Sequence, residues 1–204
     1  MKINCGYKTE LQPNNKQITL LTKHCNASRF SYNWGLNICK EMYQQYKIQP
    51  TAIELHKFLC QLKKDELNWL YDVSKCAPQF ALRNLETAYK NLFREIKKNK
   101  KSKQKLPFPK FKSKKNGLGT FKLDGTSKVE SGRIKLPRIG WIKLREKDYL
   151  PTENVKITMA TISTQAGKWF VSIQVEKEQE VPKNDNENIL GIDLGIEKFI
   201  TCSD

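Results

Sequence analysis

Apolar and polar residues change their rhythm partway along this chain of 204 residues. From Ile3 to Leu11 they alternate, with Ile3, Cys5, Tyr7 and Leu11 on one side, which predicts a half-buried strand ended by Pro13 and Asn14. From Lys16 to Tyr46 the positions Ile18, Leu21, Cys25, Tyr32, Leu36, Cys39, Tyr43 and Tyr46 trace one face of a long helix, or of two in line. Thr51 with Glu54 is a capping box that opens a second helix to about Lys64, and Leu67 to Tyr71 is a short apolar bridge. Pro78 suits a first helical turn, after which Leu82, Leu85, Tyr89, Leu92 and Ile96 predict a third helix. The opposite face of that helix carries Arg83, Lys90, Arg94 and Lys97, and it runs into a lysine tract ending near Lys115.

Beyond the tract the period becomes two. Phe121/Leu123, Ile134/Leu136, Trp141, Val155/Ile157/Met159 and Trp169/Val171/Ile173/Val175 mark short strands, punctuated by Asp124-Gly125, Ser131-Gly132, Gly140 and Ala166-Gly167. Glu178 to Asn188 is polar and reads as a linker. A helical block lying between a first strand and its later partners implies an α+β chain, an antiparallel β-barrel with an inserted helical domain. The expected division is a discontinuous barrel at 1–14 and 116–178, a helical domain at 15–115, a linker at 179–188 and the start of a further unit at 189–204.

Lysine and arginine outnumber aspartate and glutamate by 37 to 21, a net charge of +16 that favours a polyanionic partner, with nucleic acid foremost. The chain shows no apolar run of about 18 residues, no signal-peptide core and no lipidation motif, so a soluble, cytoplasmic protein without a membrane partner is expected. Lys97, Lys98, Lys100, Lys101, Lys103, Lys105, Lys110, Lys112, Lys114 and Lys115 could simply be solvated. Phe108 and Phe111, interleaved with prolines, add faces on which bases stack, which favours backbone-directed nucleic-acid contact. Lys75, Gln79 and Arg83 recur every four residues and share a face at the start of the third helix. That face could be an ordinary wet one, yet Gln reads adenine and Lys or Arg reads guanine in a groove. The six cysteines have no metal-ligand spacing and read as reduced, mostly buried thiols, so no zinc site is expected. His24 and His56 lack the orienting partner a base requires, and the four tryptophans read as core residues.

The final segment, Gly191-Ile192-Asp193-Leu194-Gly195, places an acid within an apolar run, where a bland role as a turn or cap competes with metal ligation. The Asp-Leu-Gly of actin-like ATPases is an alternative, but there a Thr follows the glycine where Ile196 stands here. With Ser28 to Trp34, Leu82 to Phe93, Pro107 to Lys112 and Leu136 to Trp141, this segment makes the chain resemble the TnpB/OrfB proteins of bacterial insertion sequences, relatives of type V CRISPR nucleases.

The resemblance implies that the barrel is a wedge domain, the helices a recognition domain, and the last residues the first strands of a ribonuclease H-like RuvC domain. It implies a transposon-encoded, RNA-guided DNA endonuclease, long described as a transposase, that uses Mg2+ and binds DNA and guide RNA in the bacterial cytoplasm, at the nucleoid. Asp193 falls on the first RuvC carboxylate, as catalytic residue and metal ligand, and the start of the third helix approaches the motif flanking the target. The family's later acids and its zinc ribbon have no counterpart here. The expectation is therefore a truncated RuvC domain, an N-terminal part able to bind nucleic acid and unable to cut, without tightly held Mg2+. A stand-alone DNA- or RNA-binding protein regulating its own element is the alternative.

Overall fold

The computed structural model describes residues 2–98, 108–153, 155–178, 191–193, 195 and 200–202. Strand β1 (Lys2–Gln12) is followed by helices α1 (Asn15–Tyr46), α2 (Ala52–Asp65) and α3 (Cys76–Lys98). Six strands come next: β2 (Thr120–Asp124), β3 (Lys128–Glu130), β4 (Arg133–Leu136), β5 (Gly140–Leu144), β6 (Val155–Gln165) and β7 (Lys168–Glu178). The short β8 (Ile192–Asp193) pairs with β9 (Thr201–Cys202). The expected linker lies outside the described residues.

Residues 15–46 form one helix rather than two in line. Its start is fixed by Asn14, whose side chain accepts from Gln17 N–H while the Gln17 side chain accepts from Asn14 N–H, so two orphan donors are satisfied reciprocally. Lys47 ends it in the left-handed region at φ 57°. Thr51 and Glu54 form the same reciprocal cap on α2. Leu67–Tyr71 becomes a turn of 3-10 helix, Asn68–Asp72.

The main sheet has seven antiparallel strands in the order β2-β6-β7-β1-β5-β4-β3, with no ladder joining β2 to β3. This corrects the expected barrel: the sheet is open. Its two edge strands are nevertheless consecutive in sequence, separated by residues 125–127 alone. Such a link spans at most about 15 Å, whereas the edges of a flat sheet of this width would stand about 29 Å apart. The sheet must therefore coil until its edges approach at one end. Gly125, in that link, passes so close to β6 that a Cβ there would clash with the Ile157 carbonyl oxygen.

Strand β6 departs from simple alternation. Its register with β7 shifts between Ile157 and Met159, leaving Thr158 as the extra residue of a bulge. Val155 and Ile157 pack against the core before the bulge, whereas Ala160 and Ile162 are buried after it. Met159 is thus displaced from the inward phase that an unbroken strand would give it.

Two buried clusters result. One joins the inner face of the sheet (Phe121, Leu123, Ile142, Ile162, Val171, Ile173) to Leu21 and Cys25 of α1 and to Cys76 and Ala77 of α3. The other lies among the helices, with Leu36, Leu55, Leu59, Leu82 and Leu85. Both α1 and α3 contribute to both clusters, so these helices tie the sheet to the helical layer. Trp169 is buried, while Trp69 is 42% exposed and offers only one side to Phe30, correcting its expected place in the core. The short 3-10 turn has too little surface to cover an indole.

Candidate nucleic-acid interface

The start of α3 is held by two neighbours. Ala77 N–H donates to the Ser74 carbonyl and Cys76 N–H to Ser74 Oγ, so Ser74 satisfies the helix's first donors, and Pro78 in the first turn has none to satisfy. Ser74 N–H in turn donates to His24 Nε2 at 2.9 Å, and His24 Nδ1 lies 2.8 Å from the Leu20 carbonyl. This pattern requires the neutral tautomer with its proton on Nδ1. Burial pushes the His24 pKa down in the same sense. His24 is therefore a structural joint between α1 and α3.

On that fixed start, Lys75 and Arg83 are exposed and Gln79 is half-buried. The Arg83 guanidinium lies 5.4 Å from the centre of the Phe80 ring. Helix α2 faces the same region. Burial lowers the His56 pKa, and the fields of Arg83, Lys63 and Lys75 lower it further. Lys63 is depressed chiefly by burial, with Arg138 adding to that effect and Cys60 opposing it, and its ammonium sits 4.0 Å over the Tyr71 ring. The fields of Lys63, Lys75 and Arg83 thus meet at His56, and that of Arg138 reaches Lys63. Period and spacing carry no signal for these interactions, which join separate elements.

The lysine tract divides. Lys97 and Lys98 end α3 exposed, as are Lys110, Lys114 and Lys115, while Lys100, Lys101, Lys103 and Lys105 fall outside the described residues. Lys112 is exposed as well, yet it is held in place. Its backbone exchanges two hydrogen bonds with the Asn33 side chain, N–H to Oδ1 at 2.8 Å and Nδ2 to the carbonyl at 2.9 Å. Its ammonium lies 4.1 Å over the Tyr32 ring, and burial lowers its pKa. Phe108 and Phe111 are 64% and 50% exposed, so both rings have surface open to a stacking partner. Lys40 sits 4.4 Å over Phe111. Lys90 is engaged by Glu86 at 3.2 Å, which offsets its charge locally.

Asp193 lies in β8, where its backbone pairs with Thr201. Among the described residues no three His, Cys, Asp or Glu side chains cluster. Two-metal phosphodiester hydrolysis needs several converging carboxylates.

Residues 1–48 match the family model described as a helix-turn-helix domain of OrfB proteins. A protein of Escherichia coli (strain K12), by name an RNA-guided DNA endonuclease, InsQ, is 31% identical over 207 residues, covering 100% of this chain and 48% of that protein. A second, from Streptomyces pristinaespiralis and also by name an RNA-guided DNA endonuclease, is 27% identical over 206 residues, 99% of this chain and 48% of its own length. The chain belongs to the TnpB/OrfB family. It spans about half the length of the curated relatives it matches. The TnpB/OrfB segment that matches the helix-turn-helix description holds strand β1 and one uninterrupted helix, so its described residues contain no turn between two helices. In this TnpB/OrfB chain the helix that meets α1 across a turn is α2, beyond the match.

Proposed function

We propose that this TnpB/OrfB chain forms the nucleic-acid-binding part of an RNA-guided DNA endonuclease of the insertion-sequence type. The observation that carries the reading is that Lys75 and Arg83 are exposed on one face of α3 at its pinned start, with Lys63 of α2 acting on the same His56. Charges of one sign gathered at this density repel one another and are offset by a polyanion. The relatives' names support DNA and RNA as the polyanions.

In this reading Gln79 and Arg83 approach base edges of duplex DNA, while Lys97, Lys98, Lys110, Lys114 and Lys115 contact phosphates and hold register without reading sequence. Phe108 and Phe111 offer stacking faces to unpaired bases. Asp193 is the candidate ligand for a divalent metal such as Mg2+, an ion that polarises phosphoryl oxygens when several carboxylates hold it. No described helix is long and apolar enough to cross a membrane, in keeping with a nucleic-acid partner in the cytoplasm.

Selection of bound species from random pools of RNA and duplex DNA tests the proposal. Binding should be tight near 50 mM salt and weaken by roughly 10³-fold or more by 200 mM, as expected for six or more phosphate contacts. A chain that retains neither RNA nor DNA at the lower salt would contradict it.

A further inference from the structure

The cleft between α1 and the segment leading into β2 contains a cation whose donors the described residues only partly satisfy. Arg29 projects from α1, and its Nη2 donates to Asn26 Oδ1 at 2.9 Å. Its Nη1 is buried and has no hydrogen-bond partner among the described residues. A buried donor left unmade is costly, and for a charged group more so, unless something else occupies the site. Arg29 opens onto a cavity of about 270 Å³ whose other lining includes Ser28, Phe111, Lys112, Ser113 and the backbone of Gly117–Thr120. Among the described residues no carboxylate lines it.

The neighbouring contacts fix this cavity rather than fill it. Ser28 Oγ donates to the Thr120 carbonyl and Cys25 Sγ to the Gly119 carbonyl, which anchors the far wall to α1. The Asn33 clamp on Lys112 anchors the near wall. Gly117 and Gly119 have φ of 98° and 86°, conformations that suit glycine, and an added Cβ at either would meet only open space. The two glycines therefore leave this wall without side chains where there would be room for them. Water takes about 30 Å³ per molecule in the liquid, so the space suits a small hydrated anion.

We infer that Arg29 and Lys112 form a phosphate-binding subsite that seats one backbone phosphodiester of a bound nucleic acid. The inference rests on the nucleic-acid reading above and adds a specific anchor to it. A guanidinium matches phosphate oxygens with paired donors, and Arg29 lines the cavity while its donor set is incompletely satisfied by the described residues. The exposed Lys110, Lys114 and Lys115 continue the positive surface on the same segment, so a strand leaving the subsite stays on basic ground.

The test is equilibrium binding of a 20-nucleotide RNA and a 20-base-pair DNA duplex over a range of salt concentrations, using wild type, Arg29→Gln, Arg29→Lys and Lys112→Gln. Arg29→Gln should lose roughly tenfold in affinity and reduce the salt slope by about 0.9 for duplex or about 0.7 for single strand. Arg29→Lys should recover the slope, because the charge remains, and only part of the affinity. Loss confined to one of the two probes identifies which strand supplies the phosphate. Lys112→Gln should show the same signature and carries the test if Arg29→Gln does not fold. Wild-type binding with folded Arg29→Gln or Lys112→Gln unchanged in affinity and slope overturns the subsite alone. Absence of wild-type binding to either probe overturns the nucleic-acid reading and the subsite with it.

Discussion

His24 of α1 accepts the Ser74 backbone N–H at 2.9 Å, a bond made fifty positions apart between the middle of one helix and the start of another. It fixes where α3, with Lys75, Gln79 and Arg83, begins. The ring must stay neutral to accept, and burial lowers its pKa from the ordinary 6.5. Below about pH 6.5 the unfolded chain binds a proton that the folded chain resists. The stability supplied by the neutral ring is full above that pH and declines as pH falls toward the lowered folded value, by up to about 1.4 kcal/mol per unit. His56 is lowered too and acts in the same direction, so His56→Gln is the suitable background. Carboxylates held low by cations, such as Glu10 beside Arg145 and Asp72 beside Lys23, titrate below this window. Thermal melting of His56→Gln at about pH 7.5 and about pH 5.5 should show a lower Tm in acid, by roughly 2–4 °C per kcal/mol lost. An unchanged Tm would mean that His24 accepts a proton without cost.

Gly35 sets the approach of α1 to α3. A Cβ there would stand 2.7 Å from Leu82 Cδ2 and 3.1 Å from Leu85 Cδ2, and both leucines are fully buried. Alanine would gain about 1 kcal/mol of helix propensity against that crowding, whereas valine adds bulk that cannot be placed without moving the helices. Gly35→Val should cost about 2 kcal/mol in urea unfolding. Wild-type stability would show that the two helices part freely.

Neutralising Lys97, Lys110, Lys114 and Lys115 together should weaken binding about equally for all sequences. If each contacts a phosphate, the duplex salt slope should fall by up to about 3.6, four times the usual increment. A slope equal to that of the wild type would place these side chains in solvent.

Gln79→Ala should change preference among flanking base pairs more than overall affinity, by about 1–3 kcal/mol at one position if its contact is bidentate. Competition binding against duplexes varied one pair at a time distinguishes this from a uniform loss, which would remove Gln79 from a reading role.

Much of the architecture was legible because local rules act within a few residues. The period-two and period-3.6 segments became strands and helices, and the Thr51/Glu54 cap formed as its spacing required. What escaped depends on contacts between distant segments. The phase of β6 turns on a bulge at Thr158, whose extra residue is visible only against β7. The open edge between β2 and β3 follows from strand order, which alternation does not encode. The sequence marked Lys75, Gln79 and Arg83 by their shared face, but the action of Lys75, Arg83 and Lys63 on His56 arises only through folding. Lys112 was one lysine among ten until Asn33, seventy-nine positions away, was seen to hold its backbone. Arg29 carried no periodic signal at all, and only folding places it in the cavity wall with Nη1 unsatisfied by the described residues.

The most direct test of the central claim is hydrogen–deuterium exchange of the chain with and without a saturating RNA or DNA duplex. The basic surface proposed as the binding face should gain protection at the start of α3 and over residues 108–120, while the outer strands β3 and β4 exchange as in the free chain. Protection confined to β3 and β4, with the α3 start and residues 108–120 unaffected, would contradict it.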